Sequence, residues 1–429
     1  MTRVDELELP YFDYTDAALR GERFHAAMLA LREQGWLASG PLGYIVLDRE
    51  AAEHFLRTRD AVFPGMKIAE IFEVSEGPLW EEMRRNILHL NGPDHSRLRK
   101  LVNPALAPRA VQRYRPPLRE LLGELFSDIT GPGGVSPEDA AGVRECEFVQ
   151  ALAKPYPSRA IAYVMGVPAA DAPRLHHWSN WIQRQFDAIS MATERPAIEA
   201  AVAEFYEYAW ELLRARRAQP GDDLISALIA ASEPDVASLS DVECVNLVLN
   251  VLIGGVDTTQ SQLAHALRLF AEHPDQWELL ARRPELVPTA VEEALRFEPI
   301  TPFTARIVER EIVFRDVVFP VGTIVMVCAF TANRDLSAAD GETEPGADGA
   351  DTFDILAAER RSAGSSSRVL TFGAGVHYCL GANLARVELE EALAFLAPRM
   401  PGLELAGEPV FEGITGIYGL AELPLRFAV

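Results

Sequence analysis

A cysteine near the C-terminal end of the chain lies in a context that favours a thiolate. Cys379 follows a turn with glycines at 373 and 375, and it precedes a predicted helix over 380–396. Backbone N–H groups at a helix start stabilise a negatively charged sulfur. Gly381 carries no side chain, so the chain could pass close to a flat ligand there. The competing interpretation is a packed core thiol, which is the usual state of a lone cysteine.

A second set of residues combines small, acidic and hydroxyl side chains on one helical face. Helical spacing of i, i+3, i+4, i+7 and i+8 relates Asn250, Ile253, Gly254, Asp257 and Thr258. The adjacent Gly254 and Gly255 cost about 1 kcal/mol each relative to alanine, so they need a reason. Such a face suits a helix pressed against a planar cofactor, with room for a diatomic ligand and a route for protons. The alternative is a helix crossing at the glycines, with the threonine bonded to its own helix.

Three motifs together resemble the cytochrome P450 family. The segment from Phe372 and Gly373 onwards reads F-G-x-G-x-H-x-C-x-G-x-x-L-A-R, which is similar to the haem-binding loop of that family. The Gly254 segment resembles its oxygen-binding groove, and Glu293 with Arg296 matches its structural E-x-x-R motif. The resemblance runs from about residue 51 to the C-terminus. It implies a haem b cofactor with Cys379 as the axial iron ligand.

The same resemblance assigns the remaining site residues. It implies that Asp257 and Thr258 deliver protons, and that Gly254, Gly255, Phe372, Gly373 and Gly381 lie against the cofactor. The implied ligands of the two haem carboxylates are His95, Arg99, Arg306 and His377. An ordinary surface ion pair is the competing interpretation for each of these four. The third partner of the E-x-x-R motif is Arg360 or Arg361, and the acidic 337–351 loop leaves the choice open.

The resemblance also places a large, mostly apolar substrate pocket. Its expected lining includes Asn250, Ile253, Gly254, Phe303 and Ile417, with Asn250 as a polar anchor. Residues of these types are more often plain core, and the amide could instead bond a neighbouring helix.

The elements that must position these residues are mainly helical. Ser240 and Glu243 form a capping box that opens a long apolar helix to about Glu272, and a second helix runs from about 284 to 297. Amphipathic helices are expected over 175–186 and 198–217, with a looser stretch over 187–196. Strands are expected over 305–308, 311–314, 323–330, 43–47 and 423–427. The expected fold is therefore mainly α (α+β): one P450 domain over 1–429, a helical bundle with minor β-sheets around a buried haem.

Bulk composition narrows the partners and the compartment. The 429 residues carry a formal net charge of −23, which argues against nucleic acid. Four cysteines without a C-x-x-C pair suggest neither a disulfide framework nor a zinc site. Residues 1–16 contain no apolar run, so we expect no signal peptide or membrane anchor and a cytoplasmic protein. One stretch, 84–119, is locally basic, with nine cations and one acid.

The implied reaction is a monooxygenation of an apolar small molecule, such as a steroid, terpenoid, fatty acid or polyketide-like compound. Electrons would come through a ferredoxin and its ferredoxin reductase from NAD(P)H, because no residues remain for a reductase domain. The basic stretch, and Arg109, Arg113 and Arg115 in particular, would dock an acidic ferredoxin. The alternatives are a peroxide-driven peroxygenase, a non-catalytic haem sensor or carrier, and a helical ligand-binding protein without haem.

Overall fold

The structure, a computed structural model, describes residues 1–130, 142–231, 239–335, 350–357 and 369–429. These residues are mostly helical, with small sheets, which confirms the expected fold class. Arg360, Arg361 and most of the acidic 337–351 loop lie outside the described residues. The chain divides into two compact units.

The first unit contains Met1–Pro64, Pro288–Cys379 and Phe411–Gly419 and holds most of the strands. Its strands are Thr2–Arg3, Leu37–Gly40, Gly43–Val46, Ala61–Val62, Phe303–Val308, Ile312–Phe314, Val317–Phe319 and Ile324–Cys328. Five of them form one sheet in the order Leu37–Gly40, Gly43–Val46, Ile324–Cys328, Phe303–Val308 and Ala61–Val62. Its helices are Glu22–Glu33, Arg49–Arg57, Val287–Phe297 (Val287 itself falls in the second unit) and Ala329–Ala332.

An aromatic core fills the first unit beside this sheet. The Phe24 ring lies 5.1 Å from the ring of Phe330 and 5.7 Å from that of Tyr418, measured between centroids. Phe303, expected in the substrate pocket, packs into the same cluster, 5.5 Å from the ring of Tyr14. The structure therefore gives Phe303 a core-packing role on at least one side.

The second unit contains Gly65–Val287, Leu380–Val410 and Leu420–Val429 and is predominantly helical. Its α-helices are Met66–Ile71, Gly77–Met83, Gly92–Val102, Pro108–Val111, Arg115–Thr130, Pro155–Met165, Ala172–Gln183, Ala188–Thr193, Arg195–Ala218, Leu224–Ala230, Asp241–Gly255, Asp257–Glu272, Pro274–Arg282 and Ala382–Leu396. A small antiparallel sheet pairs Val143–Glu147 with Pro424–Ala428, which also pairs with Glu404–Leu405.

Two helical expectations needed correction. The stretch over 187–196, expected to be loose, forms the short helix Ala188–Thr193, because the Asp187 side chain accepts the N–H of Ser190 at 3.0 Å and caps it. The long helix does begin at the Ser240–Glu243 capping box, but it is interrupted at Val256, where φ is −89° and ψ is −72°. It resumes as Asp257–Glu272, so the acid and the threonine begin a new helical segment.

The interrupted helix is strongly apolar. By length and composition, Asp241–Glu272 is the one helix among the described residues that could span a membrane, and 67% of its most apolar window is buried inside the protein. A helix that is apolar on all sides is also what a protein core requires.

Candidate functional site

Two glycines shape the loop that ends at Cys379. Gly373 and Gly375 have φ of 67° and 70°, a left-handed conformation that side chains disfavour. A Cβ on Gly375 would also collide with the carbonyl oxygen of Leu56. The Cys379 N–H donates to the Phe372 carbonyl at 2.9 Å, which closes the loop. The following helix begins at Ala382, two residues later than expected, and Gly381 is its N-cap.

A buried arginine on the central sheet lacks an anionic partner. Arg306 lies on strand Phe303–Val308 and is 3% exposed. Its Nη1 donates to the carbonyl of its neighbour Ala305 at 2.9 Å, and no carboxylate pairs with it within the described part of the chain. Burial lowers the pKa of Arg306 to about 10. An uncompensated buried cation is costly, so this position suits a carboxylate brought by a ligand.

A second cationic pair lies on the helix Gly92–Val102. His95 is buried, and Arg99 follows it by one turn. Burial, together with the charge of Arg99, lowers the pKa of His95 to about 4. The two groups therefore lie close together on one helical face, where the neutral His95 ring can donate a hydrogen bond to an anion and Arg99 supplies the positive charge. His377, the fourth expected ligand, lies in the turn Gly375–His377, with its ring 6.1 Å from that of Phe63.

The two adjacent glycines of the interrupted helix have different roles. Gly254 is exposed although most of its helix is buried, and apart from its chain neighbours and its own helix backbone no described atom lies within 4 Å of the point where a Cβ would stand. Gly255 faces the other way, and a Cβ there would collide with the side chain of Ile161. Gly254 therefore leaves an open face of the kind a flat ligand needs, whereas Gly255 allows close helix packing.

The acid and the alcohol lie immediately after the helix break. Asp257 is buried, and its carboxylate accepts hydrogen bonds from the Ser179 hydroxyl and, at 3.4 Å, from Asn180 Nδ2. Burial raises the pKa of Asp257, so its carboxyl can hold a proton at higher pH than an exposed aspartate. The Thr258 hydroxyl donates to the Gly254 carbonyl at 2.6 Å, which is the back-bonding that the sequence left open.

Glu293 and Arg296 form the expected structural pair. Both are buried, and two N–H···O bonds of 2.7 Å join them. Arg296 also donates to the carbonyl oxygens of Ala350 and Thr352, and Glu293 accepts the N–H of Asp354. Backbone groups over 350–354 therefore satisfy this pair, and both candidates for the third partner fall outside the described residues.

The expected pocket residues have mixed environments. Ile253 is buried, and Ile417 is half-buried. The Asn250 Oδ1 accepts the N–H of Ile87 at 3.0 Å, so part of its amide bonds a neighbouring segment, as the competing interpretation holds.

Sequence reasoning missed a buried acid close to Asn250. Glu82 is fully buried, and burial raises its pKa to about 7 although the side chains of Asn86, Gln185 and Asn250 oppose the shift. The signal was present in the sequence. Helical spacing of i, i+3, i+4 and i+7 relates Leu79, Glu82, Met83 and Asn86, all of which are buried.

Comparison with known proteins decides the family. The family model described as Cytochrome P450 matches residues 176–281 and 275–396. The chain belongs to the cytochrome P450 family. Luteothin monooxygenase of Streptomyces thioluteus is 33% identical over 425 residues, which cover 98% of this chain and 96% of that protein. Nocardicin C N-oxygenase of Nocardia uniformis subsp. tsuyamanensis is 38% identical over 329 residues, covering 76% and 74%.

Solved P450 structures share the whole fold. The crystal structure of CalO2 matches with a TM-score of 0.83 and 32% identity, covering 98% of this chain and 99% of that chain. Family membership makes this chain a haem-iron monooxygenase of the P450 type. The described residues suit the cofactor: the Cys379 loop, the unpaired buried Arg306, the His95–Arg99 pair and the open face at Gly254 each provide a group that haem requires.

Proposed function

We propose that this cytoplasmic P450 oxidises a mostly apolar small molecule with electrons from a ferredoxin and a ferredoxin reductase. Haem held by the Cys379 thiolate supplies the redox-active iron that reduces dioxygen, with one oxygen atom entering the substrate and the other leaving as water. Two electrons and two protons complete that balance. The observation that carries the proposal is the buried Asp257 followed directly in sequence by Thr258, whose hydroxyl bonds the carbonyl of Gly254.

This pair suits proton delivery for three reasons. The raised pKa of Asp257 keeps a proton available, and the Ser179 hydroxyl orients its carboxyl. Thr258 is partly exposed, next to Gly254, and its hydroxyl is directed by the Gly254 carbonyl. A peroxide-driven enzyme or a haem sensor would not need such a proton path.

Spectroscopy and turnover together test the proposal. The reduced, carbonyl-bound protein should show the Soret band of thiolate ligation. Product formation should then require NADH, a ferredoxin and its reductase. Turnover with hydrogen peroxide alone at an equal rate would identify a peroxygenase. A thiolate-type band without any turnover over a broad substrate panel would identify a sensor or carrier.

The structure changes which residues we propose for ferredoxin docking. Acids from distant elements pair with four of the nine cations in the basic stretch over 84–119: Arg97 pairs with Glu243, Arg113 with Asp222, Arg115 with Glu390 and Glu391, and Arg119 with Glu391. Arg113 and Arg115, two of the three expected docking residues, are therefore poor candidates. Their guanidinium groups already form ion pairs with carboxylates of this protein.

Lys100 and Arg109 are better candidates. Both are exposed, and no ion pair involves either of them within the described ranges. They flank the turn Asn103–Leu106, whose Leu106 carbonyl accepts Asn383 Nδ2 at 3.0 Å. Asn383 belongs to the helix that follows Cys379 in sequence, so this surface adjoins the cofactor-binding segment.

Charge reversal tests this docking surface. The Lys100→Glu, Arg109→Glu double variant should slow reduction by ferredoxin about tenfold at low salt, since it removes long-range attraction. The rates should converge at 1 M salt, where the screening length is about 3 Å. Arg113→Gln is the matched control and should reduce normally. Equal stopped-flow rates for the double variant and the wild type at low salt would move the docking site elsewhere.

A further inference from the structure

A buried polar cluster lies within the second unit. Its members are Glu82, Asn86, Gln185, Asn246 and Asn250, which we call the Glu82 cluster. The first four are at most 1% exposed, and Asn250 is half-buried. They come from the helix Gly77–Met83 and its following turn, the turn Arg184–Phe186 and the helix Asp241–Gly255. Three separate parts of the chain therefore bring polar groups to one apolar interior.

Hydrogen bonds satisfy six of the ten side-chain nitrogen and oxygen atoms of the cluster, and most of these bonds go to groups outside it. Asn86 Nδ2 donates to Glu82 Oε1 at 2.6 Å, and Asn246 Nδ2 donates to the Tyr206 hydroxyl at 2.6 Å. Gln185 Nε2 donates to the Ile182 carbonyl at 3.1 Å. The Asn250 Oδ1 is occupied by the N–H of Ile87. These bonds fix the orientation of each side chain.

The remaining atoms form an unbalanced set. Glu82 Oε2, Gln185 Oε1 and Asn246 Oδ1 are acceptors, and Asn250 Nδ2 is a donor, and none has a hydrogen bond of good geometry to a described residue. Gln185 and Asn250 approach the Glu82 carboxylate closely enough to favour its charged form, yet they leave Oε2 unsatisfied. Buried acceptors without a donor are costly and rare in folded proteins. When Glu82 is ionised, three acceptors stand against one donor, and a group that brings N–H or O–H bonds would satisfy them.

Asn250 connects the cluster to the open helical face. It precedes Gly254 by one turn on the helix Asp241–Gly255, and Gly254 is the position with no neighbouring atom within 4 Å. Apolar side chains on the same two helices, Leu79, Met83 and Ile253, are buried as well. A ligand at this face would thus meet apolar walls and a single patch of acceptors.

We propose that the Glu82 cluster binds a hydrogen-bond donor of the substrate, either an alcohol or a protonated amine, at one end of an otherwise apolar pocket. The proposal rests on the function proposed above and narrows its substrate class. A donor group that leaves water needs acceptors in the pocket. A site built to accept such a group discriminates strongly against an analogue that lacks it, because the acceptors are then left unpaired.

The charge of Glu82 is compatible with this assignment, although burial opposes the ionised form. Its pKa of about 7 lets the carboxylate exist near neutral pH, where it can accept from a hydroxyl or an ammonium. A bound ammonium would stabilise the charged form further. Burial raises the pKa of Tyr206 and lowers the pKa of His89 to about 4. Neither side chain therefore changes charge near pH 7, so neither replaces Glu82 as the charged acceptor.

Three matched probes test the proposal on the haem-loaded protein. They are 1-decanol, decylamine and decyl methyl ether, which share a chain and differ in their donors. Calorimetry gives each dissociation constant, and the direction of the Soret shift shows whether the decylamine nitrogen has bound the iron instead of the Glu82 cluster. Wild-type protein should bind at least one of the two donor probes about tenfold or more tightly than the ether. A preference for the amine over the alcohol would identify an ammonium site, and the reverse a hydroxyl site.

Variants test whether the Glu82 cluster causes the preference for the donor probes. Glu82→Gln should reduce it to about threefold or less, and Gln185→Met, which removes one acceptor and keeps the side-chain size, should weaken it as well. Glu81→Gln is the control, because Glu81 lies on the same helix but is half exposed and pairs with Arg85. Gln185→Met carries the test if Glu82→Gln does not fold.

Two results would overturn the proposal. In one, the wild type binds all three probes equally. In the other, the donor preference persists in both cluster variants, which would mean that buried water satisfies the cluster. A reduced carbonyl spectrum without the thiolate band would instead count against the proposed function, and calorimetry would still read the donor preference independently.

Discussion

In the loop that ends at Cys379, backbone hydrogen bonds run over short range, from the Gly373 N–H to the Leu370 carbonyl and from the Cys379 N–H to the Phe372 carbonyl. The functional face of Asp241–Glu272 instead depends on side chains far away in sequence. Ser179 binds Asp257, Ile161 packs on Gly255, and Ile87 holds Asn250. The ligand chemistry is thus mainly local, and the proton and substrate chemistry is tertiary. Mutations in the two regions should therefore impair different properties of the enzyme.

The largest expected effect is at Cys379. Cys379→Ala should abolish the thiolate-type carbonyl band and turnover, because the loop has no other thiolate, while far-ultraviolet circular dichroism keeps most of its helical signal. Cys146→Ala, on the strand Val143–Glu147, is the matched control and should keep the band. Persistence of the band in Cys379→Ala would contradict the assignment of the ligand.

The tertiary region should show uncoupling rather than loss of the cofactor. Thr258→Ala removes the hydroxyl beside Gly254, so product formed per NADH consumed should fall to about half or less, with peroxide rising to match. Thr258→Ser restores the hydroxyl and should recover most of the coupling. Unchanged coupling in the alanine variant would leave Thr258 with the back-bonding role alone.

Arg306 offers a test in which two readouts should move in opposite directions. Arg306→Leu removes an unpaired buried cation, so the haem-free protein should gain on the order of 1–3 kcal/mol in unfolding free energy. Haem affinity should fall roughly tenfold, because a carboxylate loses its partner. Arg310→Leu, which breaks the exposed pair with Asp60, is the control. A loss of stability in haem-free Arg306→Leu would show that the guanidinium already has an anionic partner.

A pH dependence of stability is expected from Glu82. Its folded-state pKa of about 7 exceeds the ordinary value of 4.5, so the folded state binds the proton more tightly. That contribution to stability is full below pH 4.5 and is lost as pH rises through 7. It amounts to on the order of 3 kcal/mol at 1.36 kcal/mol per pKa unit.

The Glu82→Gln variant should lack this pH-dependent contribution to stability. Urea unfolding at pH 5 and pH 8 should show the variant gaining on the wild type as pH rises, with Glu81→Gln following the wild type. A parallel pH profile for Glu82→Gln and the wild type would mean that the Glu82 carboxylate is stabilised in its charged form.

The sequence by itself was enough for the family, for the Glu293–Arg296 pair and for the capping box of the long helix, and it predicts the Cys379 thiolate. Each motif behind these predictions spans no more than about fifteen positions. Gly373, Gly375 and Cys379 have roles set by backbone conformation and by a side chain that acts at its own position. Short-range patterns of this kind are readable because the chain itself fixes the spacing.

Only the tertiary structure decided which charges remain available. The basic stretch over 84–119 looked like a docking surface until Asp222, Glu243, Glu390 and Glu391 were found opposite it. The tertiary structure likewise gives Gly254 and Gly255 different roles, and it buries Glu82 among amides from other parts of the chain. The physical reason is that ion pairing, desolvation and open space depend on what lies across from a residue. Folding brings those neighbours from positions that no local pattern records.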